Sequence, residues 1–432
     1  MLSIQVLRRC CASLLLYQAV LNNPVGRSLI DLLQALHQLE LMQTLRHSDI
    51  DELGCIQAYG TWFKAISSTN QSWADYLVTQ ILLDDNPFSK QVQRKDLANL
   101  PPALIAAAGQ DLQSLQLLYQ CSSDLLSEWV QSATNSSVAP IAWYYEAGET
   151  TPIRTKLQQL DNWAEALEDL AAYYQQYGTG LFAQYKALRW QSGLVGINTP
   201  DPVQVDQLAG YEYQRDTLIK NTEFLLAGYP ASHVLLYGSR GTGKSSLVKG
   251  LLHKYQSRQL RIIEVAKSDL QALPTILEQL RGAVQKFIIF VDDLSFEEDD
   301  DGFKALKVVL EGNLTARPQN VVVYATSNRR HLIREFFDDR PRPSNSDEVH
   351  AWDTVQEKLS FSDRFGLTIT FESADQETYL KIVHHLAAQA KISLSQEDLA
   401  RQALQWATRH NGRSGRTARQ FIDFIQADLA AR

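Results

Sequence analysis

The chain has 432 residues, of which 45% are hydrophobic and 21% charged, and this globular composition excludes a collagen-like, wholly disordered or coiled-coil protein. The net charge is −8, and neither half of the chain is basic, so nucleic acid is not favoured as the main partner. The sequence contains no uninterrupted apolar run of about 18 residues, so no membrane span is predicted.

Residues 1–191 are predicted to form a helical domain whose role stays unknown. Leucines at 29, 32, 33 and 36 follow the three- and four-residue steps of an amphipathic helix, and a second such pattern runs over 157–171. The apolar run 10–16 lacks a cleavage signature, so a buried helix is predicted there rather than a signal peptide. Four cysteines show no metal-ligand spacing and are interpreted as reduced core thiols of a cytoplasmic protein: Cys10, Cys11, Cys55 and Cys121.

Residues 192–204 are rich in glycine and proline and are predicted to be a linker. Beyond them, short β-rich runs alternate with helical ones, which indicates a parallel sheet covered by helices on both faces. We therefore expect an α/β core over 205–374 and, where the strands stop, a small helical domain over 375–432. The predicted strands are 233–237, 261–265, 287–291, 321–326 and 367–371.

The first predicted strand leads into GSRGTGKS at 238–245, which fits the phosphate-loop pattern G-x-x-x-x-G-K-[ST]. The glycines let the backbone curl so that successive N–H groups point at phosphate oxygens, and the helix that follows adds its positive end. Lys244 is predicted to contact the β- and γ-phosphates of ATP, and the Ser245 hydroxyl to hold Mg²⁺. The other predicted nucleotide-binding residues here are Gly238, Ser239, Arg240, Gly241, Thr242, Gly243 and Ser246.

Two carboxylates follow the third predicted strand, at the edge of the sheet where the phosphate loop is expected. Asp292 is predicted to hold Mg²⁺, and Asp293 to orient and polarise the attacking water. An acidic run continues beyond them and is typical of a solvated loop. Glu297 in that run remains an alternative catalytic carboxylate.

Further candidate residues lie in three later segments. Asn328 follows the fourth predicted strand, where an amide can contact the γ-phosphate or the attacking water. Arg364 precedes the last strand. Arg416 and Arg419 lie in a basic segment where a helix begins. Each arginine alone is equally compatible with a surface salt bridge, and the order of the segments favours a functional interpretation.

That order resembles the AAA+ ATPases, in which Walker A, Walker B, sensor 1, an arginine finger and sensor 2 follow one another. Residues 205–432 are most similar to an uncharacterised bacterial AAA+ family, while residues 1–190 lie outside the resemblance. The usual second Walker B residue is Glu, whereas this chain has Asp293, so the choice between Asp293 and Glu297 stays open. The similarity rests on 208–212, 238–246, 290–297, 324–331, 362–366 and 414–420.

The resemblance implies an α/β P-loop fold with a C-terminal helical lid, and a homo-oligomeric ring. Arg364 would be the finger acting across a subunit boundary, and Arg416 or Arg419 the lid sensor. The implied function is hydrolysis of Mg-ATP coupled to remodelling or regulation of a protein partner of unknown identity. Two alternatives stay open: a non-hydrolysing nucleotide switch or scaffold, and a small-molecule phosphotransferase.

Overall fold

A computed structural model describes residues 2–45, 52–145, 151–295, 301–311, 318–328, 361–410 and 412–431. The chain divides into two compact units, Met1–Gln184 and Tyr185–Arg432. Each unit has a hydrophobic core of its own. The first unit is helical in its described residues, as predicted, and the second contains the sheet.

Local capping accounts for several helix starts in the first unit. The Ser72 hydroxyl accepts a hydrogen bond from the Asp75 N–H, and the Ser122 hydroxyl accepts one from the Leu125 N–H. The helices are α1 (Ile4–Ser13), α2 (Pro24–Leu45), α3 (Glu52–Ser67), α4 (Trp73–Leu83), α5 (Pro87–Val92), α6 (Pro102–Tyr119), α7 (Ser123–Ala133), α8 (Pro152–Gln159), α9 (Leu167–Tyr177) and α10 (Gly180–Gln184).

The core of the first unit follows the predicted pattern in one place and departs from it in another. The four leucines at 29, 32, 33 and 36 are fully buried. The pattern over 157–171 is not one helix, because α8 ends at Gln159 and the Asn162 side chain then caps a short 3₁₀ helix, Trp163–Ala166. None of the four cysteines, all of which are described, forms a disulfide, and Cys10, Cys55 and Cys121 are buried.

Asp84, directly after α4, is a buried carboxyl group in this unit, only 5% exposed. Asn86 Nδ2 donates a hydrogen bond of 2.6 Å to its Oδ2. Burial raises the pKa of Asp84 to about 6, and the charges of Asp85 and Asp111 add to the rise. Between pH 3.8, the ordinary pKa of the group, and about pH 6, the folded unit therefore keeps a proton on Asp84 that the unfolded chain has released.

We expect Asp84→Asn to make the first unit more stable than the wild type, and this gain should be larger at pH 7 than at pH 4 by about 1–3 kcal/mol. The free energy that the wild-type carboxyl contributes to stability falls as the pH rises from 3.8 to about 6, whereas the amide does not titrate. Hydrogen exchange of the α4 amides in the full chain measures the difference. The exposed Asp96→Asn is the control, and a gain for Asp84→Asn that does not depend on pH would contradict the prediction.

The second unit is built on a seven-stranded sheet in its described residues, with the order β2-β1-β4-β5-β6-β3-β7. Neighbouring strands pair in parallel except for the antiparallel β1–β2 hairpin. The five strands expected from the sequence are confirmed within one residue at each end. The strands are β1 (Ala187–Trp190), β2 (Leu194–Ile197), β3 (Val234–Gly238), β4 (Leu260–Glu264), β5 (Lys286–Val291), β6 (Val321–Ser327) and β7 (Leu367–Phe371).

The boundary lies between 184 and 185 rather than at 191, and the linker predicted at 192–204 is wrong for 192–197, because residues 187–197 form the β1–β2 hairpin of the second unit. Ser192 has a φ of 56°, and the Gln191 N–H bonds the Gly193 carbonyl at 2.8 Å, so the glycine-rich segment forms the hairpin turn. The Tyr185 ring packs directly on Gly196 of β2, and a Cβ at this position would lie 2.2 Å from the ring. This contact explains why the strand contains a glycine.

Helices α11 and α12 pack buried side chains such as Leu218 and Leu251 against the sheet. The last three helices enclose a separate core that includes Tyr379 and Phe421, and they form the expected lid. The fold class is therefore an α/β P-loop fold with a C-terminal helical lid. None of the described helices is both long and apolar enough to cross a membrane. The helices of this unit are α11 (Glu212–Leu226), α12 (Lys244–Tyr255), α13 (Leu273–Leu280), α14 (Asp301–Glu311), α15 (Gln376–Gln389), α16 (Gln396–Arg409) and α17 (Gly415–Ala430).

Candidate nucleotide-binding site

A cavity of about 950 Å³ opens at the carboxyl ends of β5, β6 and β3, which are neighbours in the sheet. Parallel strands release their following loops at the same edge, so residues distant in sequence meet there. The volume lies in the range of small-molecule sites in proteins. The predicted site residues that line it are Arg240, Gly241, Thr242, Gly243, Lys244, Ser245, Ser246, Asp292, Asp293, Asn328, Arg416 and Arg419.

The loop between β3 and α12 depends on glycine at fixed positions. Gly238, Gly241 and Gly243 have φ values of 138°, 75° and 89°, a region that side chains with a Cβ rarely adopt. A Cβ at Gly238 would lie 1.9 Å from the carbonyl oxygen of Phe371, and one at Gly241 would lie 3.0 Å from Ser414 Oγ. The loop thus passes close to both β7 and the lid, and α12 begins directly after it at Lys244.

Lys244 is held by the loop that precedes it and by the end of β6. Its Nζ donates hydrogen bonds to the carbonyl oxygens of Gly238 (2.8 Å) and Ser239 (2.7 Å) and to Asn328 Oδ1 (3.3 Å). The residue is 7% exposed. Burial lowers the pKa of Lys244, and the two nearby carboxylates oppose that change. The ammonium group is thus oriented at the mouth of the loop, close to Asn328.

Two carboxylates follow β5 and are each bound by polar side chains. Asp292 Oδ1 accepts hydrogen bonds from Ser245 Oγ (2.6 Å) and from Thr326 Oγ1 (2.5 Å). Asp293 Oδ1 accepts one from Asn328 Nδ2 at 2.7 Å. The first helix turn, the end of β5 and the end of β6 are therefore joined by one polar network.

The chemistry of this donor set fits Mg²⁺. A hydroxyl and a carboxylate, from Ser245 and Asp292, lie side by side on the cavity wall, and Mg²⁺ prefers oxygen ligands of this kind. Within the described residues there is no group of three or more His, Cys, Asp or Glu side chains that could hold a metal. Mg²⁺ is compatible with so small a protein set, because it usually keeps water and substrate phosphate among its ligands.

The cavity is electropositive although the whole chain is acidic. Its described lining includes five basic side chains and two carboxylates. Two of the basic residues, Arg416 and Arg419, come from the first two turns of α17, and the Arg416 N–H donates to the Gly241 carbonyl at 3.1 Å. The lid therefore contacts the glycine-rich loop directly, and the surroundings suit a polyanion.

Among the described residues, one predicted catalytic residue, Arg364, is not brought together with this network. Arg364 is not among the described residues that line the cavity; it ends a 3₁₀ helix, Phe361–Arg364, and forms an ion pair with Glu311 of α14. The Arg364 side chain is 18% exposed. Glu297, as well as the two arginines that follow Asn328, lies outside the described residues.

The apolar lining of the cavity was not predicted from the sequence. Two of its members, Pro202 and Val203, fall in the segment predicted to be a linker. Three more members come from the run 208–212, for which the sequence predicted no contact with the nucleotide. In the same run, Glu212 forms an ion pair of 2.8 Å with Lys381 of the lid. A hydrogen bond from Lys381 lowers the pKa of Glu212 to about 2. The apolar lining residues are Pro202, Val203, Leu208, Ala209, Tyr211, Leu247, Phe371, Ile382 and Leu386.

A family model described as "Protein of unknown function (DUF815)" matches residues 183–429, more than half of the chain, and the chain belongs to this family. The matched range begins beside the boundary between the two units. No curated protein matches the sequence.

Among solved structures, the chain is similar to RuvB of Thermotoga maritima. One RuvB mutant is 16% identical, with a TM-score of 0.37, over 53% of this chain and 66% of that chain. The RuvB structure titled a Holliday junction branch migration motor is 14% identical, with a TM-score of 0.31, over 52% of this chain and 72% of that chain. The chain thus spans just under two thirds of the first of these structures.

Proposed function

We propose that this DUF815 family member is an AAA+ ATPase that hydrolyses Mg-ATP and couples hydrolysis to remodelling or regulation of a protein partner. The observation that carries the proposal is the polar network in which Lys244 and Asp293 are both bonded to Asn328 on one cavity wall. Basic, acidic and amide groups arranged in this way meet three needs of phosphoryl transfer: charge neutralisation, activation of water, and orientation. A small-molecule phosphotransferase would give Asn328 no comparable role.

In this proposal the loop 238–245 binds the phosphates through its backbone N–H groups and the positive end of α12. Lys244 contacts the β- and γ-phosphates, and two arginines near the start of α17 in the lid, Arg416 and Arg419, contact the nucleotide from the opposite side. The apolar lining around Leu208 and Ile382 takes the base, since stacking on apolar side chains does not require charge.

Ser245 and Asp292 would hold the metal ion. When bound, Mg²⁺ neutralises charge that develops on the phosphate oxygens. Asp293 accepts the proton of the attacking water while Asn328 holds its Oδ1. Arg364 acts on the neighbouring protomer of a homo-oligomeric ring, which requires its ion pair with Glu311 to open. The first unit recognises the partner, in the cytoplasm, where cysteines remain reduced.

Lys244→Ala should abolish tight binding of Mg-ATP, because the phosphates lose their nearest cation while the backbone of the loop remains. Titration calorimetry of the full chain measures the affinity. Lys254→Ala, an exposed lysine later in the same helix, should bind as the wild type does. Wild-type affinity in Lys244→Ala would refute the assignment of the phosphate loop.

Asp293→Asn should bind Mg-ATP but hydrolyse it at least about 100-fold more slowly, because an amide cannot accept the proton of water. The amide oxygen can still accept the bond from Asn328, so the geometry is retained. Asp292→Asn should instead raise the Mg²⁺ concentration needed for activity. Full phosphate release by Asp293→Asn would transfer the role to Glu297, and no turnover by the wild type would favour a nucleotide switch.

Arg364→Ala should bind ATP normally and fail to hydrolyse it, and mixing it with Lys244→Ala should restore part of the activity. Each protein then supplies the group that the other lacks. Glu311→Gln is the matched control, because it breaks the same ion pair and keeps the arginine. Unchanged turnover by Arg364→Ala, with a monomeric mass in ATP, would contradict the ring and direct attention to Arg329 and Arg330.

A further inference from the structure

Thr326, near the end of β6, bonds three consecutive residues of the neighbouring β5 end. Its hydroxyl donates to Asp292 Oδ1 at 2.5 Å and accepts the Asp293 N–H at 3.0 Å. Its carbonyl oxygen accepts the Leu294 N–H at 2.7 Å. The side chain is 2% exposed. One buried residue thus determines the path of the chain through both carboxylates.

The sheet explains why this position has such contacts. Val291 is paired with Ala325 in the parallel register of β5 and β6, so the next residue of each strand lies at the same level. At that level β5 ends, and Asp293 takes a φ of 52°, in the left-handed region that few residues other than glycine adopt. The hydroxyl of Thr326 binds the N–H of this turned residue. It therefore stabilises a backbone conformation that the aspartate would otherwise rarely take.

The two hydroxyl groups that donate hydrogen bonds to Asp292 Oδ1 differ in whether they can move to a metal ion. Ser245 lies on the cavity wall and is the hydroxyl expected to bind Mg²⁺, which would take it from Asp292. Thr326 also lines the cavity, but it is only 2% exposed because it belongs to a strand that is buried along its length. Its hydrogen bond can persist when Ser245 moves to the metal.

We infer that Thr326 is a positioning residue: its hydroxyl orients Asp292 toward Mg²⁺ and Asp293 toward the attacking water. This inference rests on the proposed function and assigns a role to a buried residue outside the proposed pair of metal ligands, Ser245 and Asp292. Groups that orient metal ligands typically change metal affinity or activity by about 10- to 100-fold when they are removed. Loss of the hydroxyl should act through both aspartates at once.

The test compares Thr326→Val, which is close in shape and lacks the hydroxyl, with Thr326→Ser, which keeps it. Calorimetry with ADP at increasing Mg²⁺ measures the metal dependence of binding without hydrolysis. For Thr326→Val we expect the Mg²⁺ concentration at half-maximal binding to rise by about 10-fold or more, with ADP affinity in EDTA unchanged. The turnover number at saturating Mg²⁺ should also fall, and Thr326→Ser should behave nearly as the wild type.

Thr222→Val is the matched control, because it removes a fully buried and hydrogen-bonded hydroxyl from α11, away from the cavity. Should Thr326→Val not fold, Thr326→Ala and Thr326→Ser differ from each other only in the hydroxyl and provide the same comparison. Wild-type Mg²⁺ dependence and turnover in the variant without the hydroxyl would overturn the inference, and so would a Ser variant as defective as Ala. Neither result would touch the proposed ATPase function, whereas a wild-type chain that binds no Mg-nucleotide would overturn both.

Discussion

The position of β6 between β5 and β3 is the constraint on which the candidate site depends. Leu236 of β3 is paired with Thr326, and Val291 of β5 is paired with Ala325, so all three strands end at nearly the same level. The phosphate loop, the acidic pair and the strand-end amide can then come within hydrogen-bonding distance of one another. A shift of one residue between these strands would turn each side chain to the opposite face of the sheet and break the hydrogen bonds of the network.

Charge in this chain is organised locally rather than globally. A net charge of −8 would oppose the approach of a polyphosphate, yet the described cavity lining is richer in basic than in acidic side chains. Lys244 combines burial with hydrogen bonds to two backbone carbonyls, which keeps its ammonium in one orientation before any ligand arrives. Preorganisation of this kind reduces the loss of conformational entropy on binding.

The strands and the phosphate loop could be predicted because their signals are local. An apolar run of five residues followed by glycines or paired aspartates is visible in any window that contains it. The β1–β2 hairpin was missed because each strand has only four residues and its glycine at 196 resembles a breaker. This glycine is explained by a tertiary contact, the packing of the Tyr185 ring against the backbone at Gly196.

The same limit applies inside the site. Asn328 stood out because it follows a strand, but Thr326 is two residues earlier, within the apolar run, where a threonine is an ordinary β-former. Only the pairing of β6 with β5 brings its hydroxyl to both aspartates. The apolar wall also escaped prediction, since most of its members come from 202–211 and from the lid. Hydrophobic residues that meet through tertiary structure have no spacing rule of their own.

The hairpin also bears on how the second unit can be separated from the first. β1 covers the outer edge of β4 through a parallel pairing of three residues, Ala187–Arg189 with Ile262–Glu264. A shortened chain that starts after residue 200 would lose this cover and expose the N–H and C=O groups of an apolar strand. Exposed edges of that kind pair with other molecules and aggregate. Truncation at Tyr185 would retain the cover, so solubility of a shortened protein depends on where it is cut.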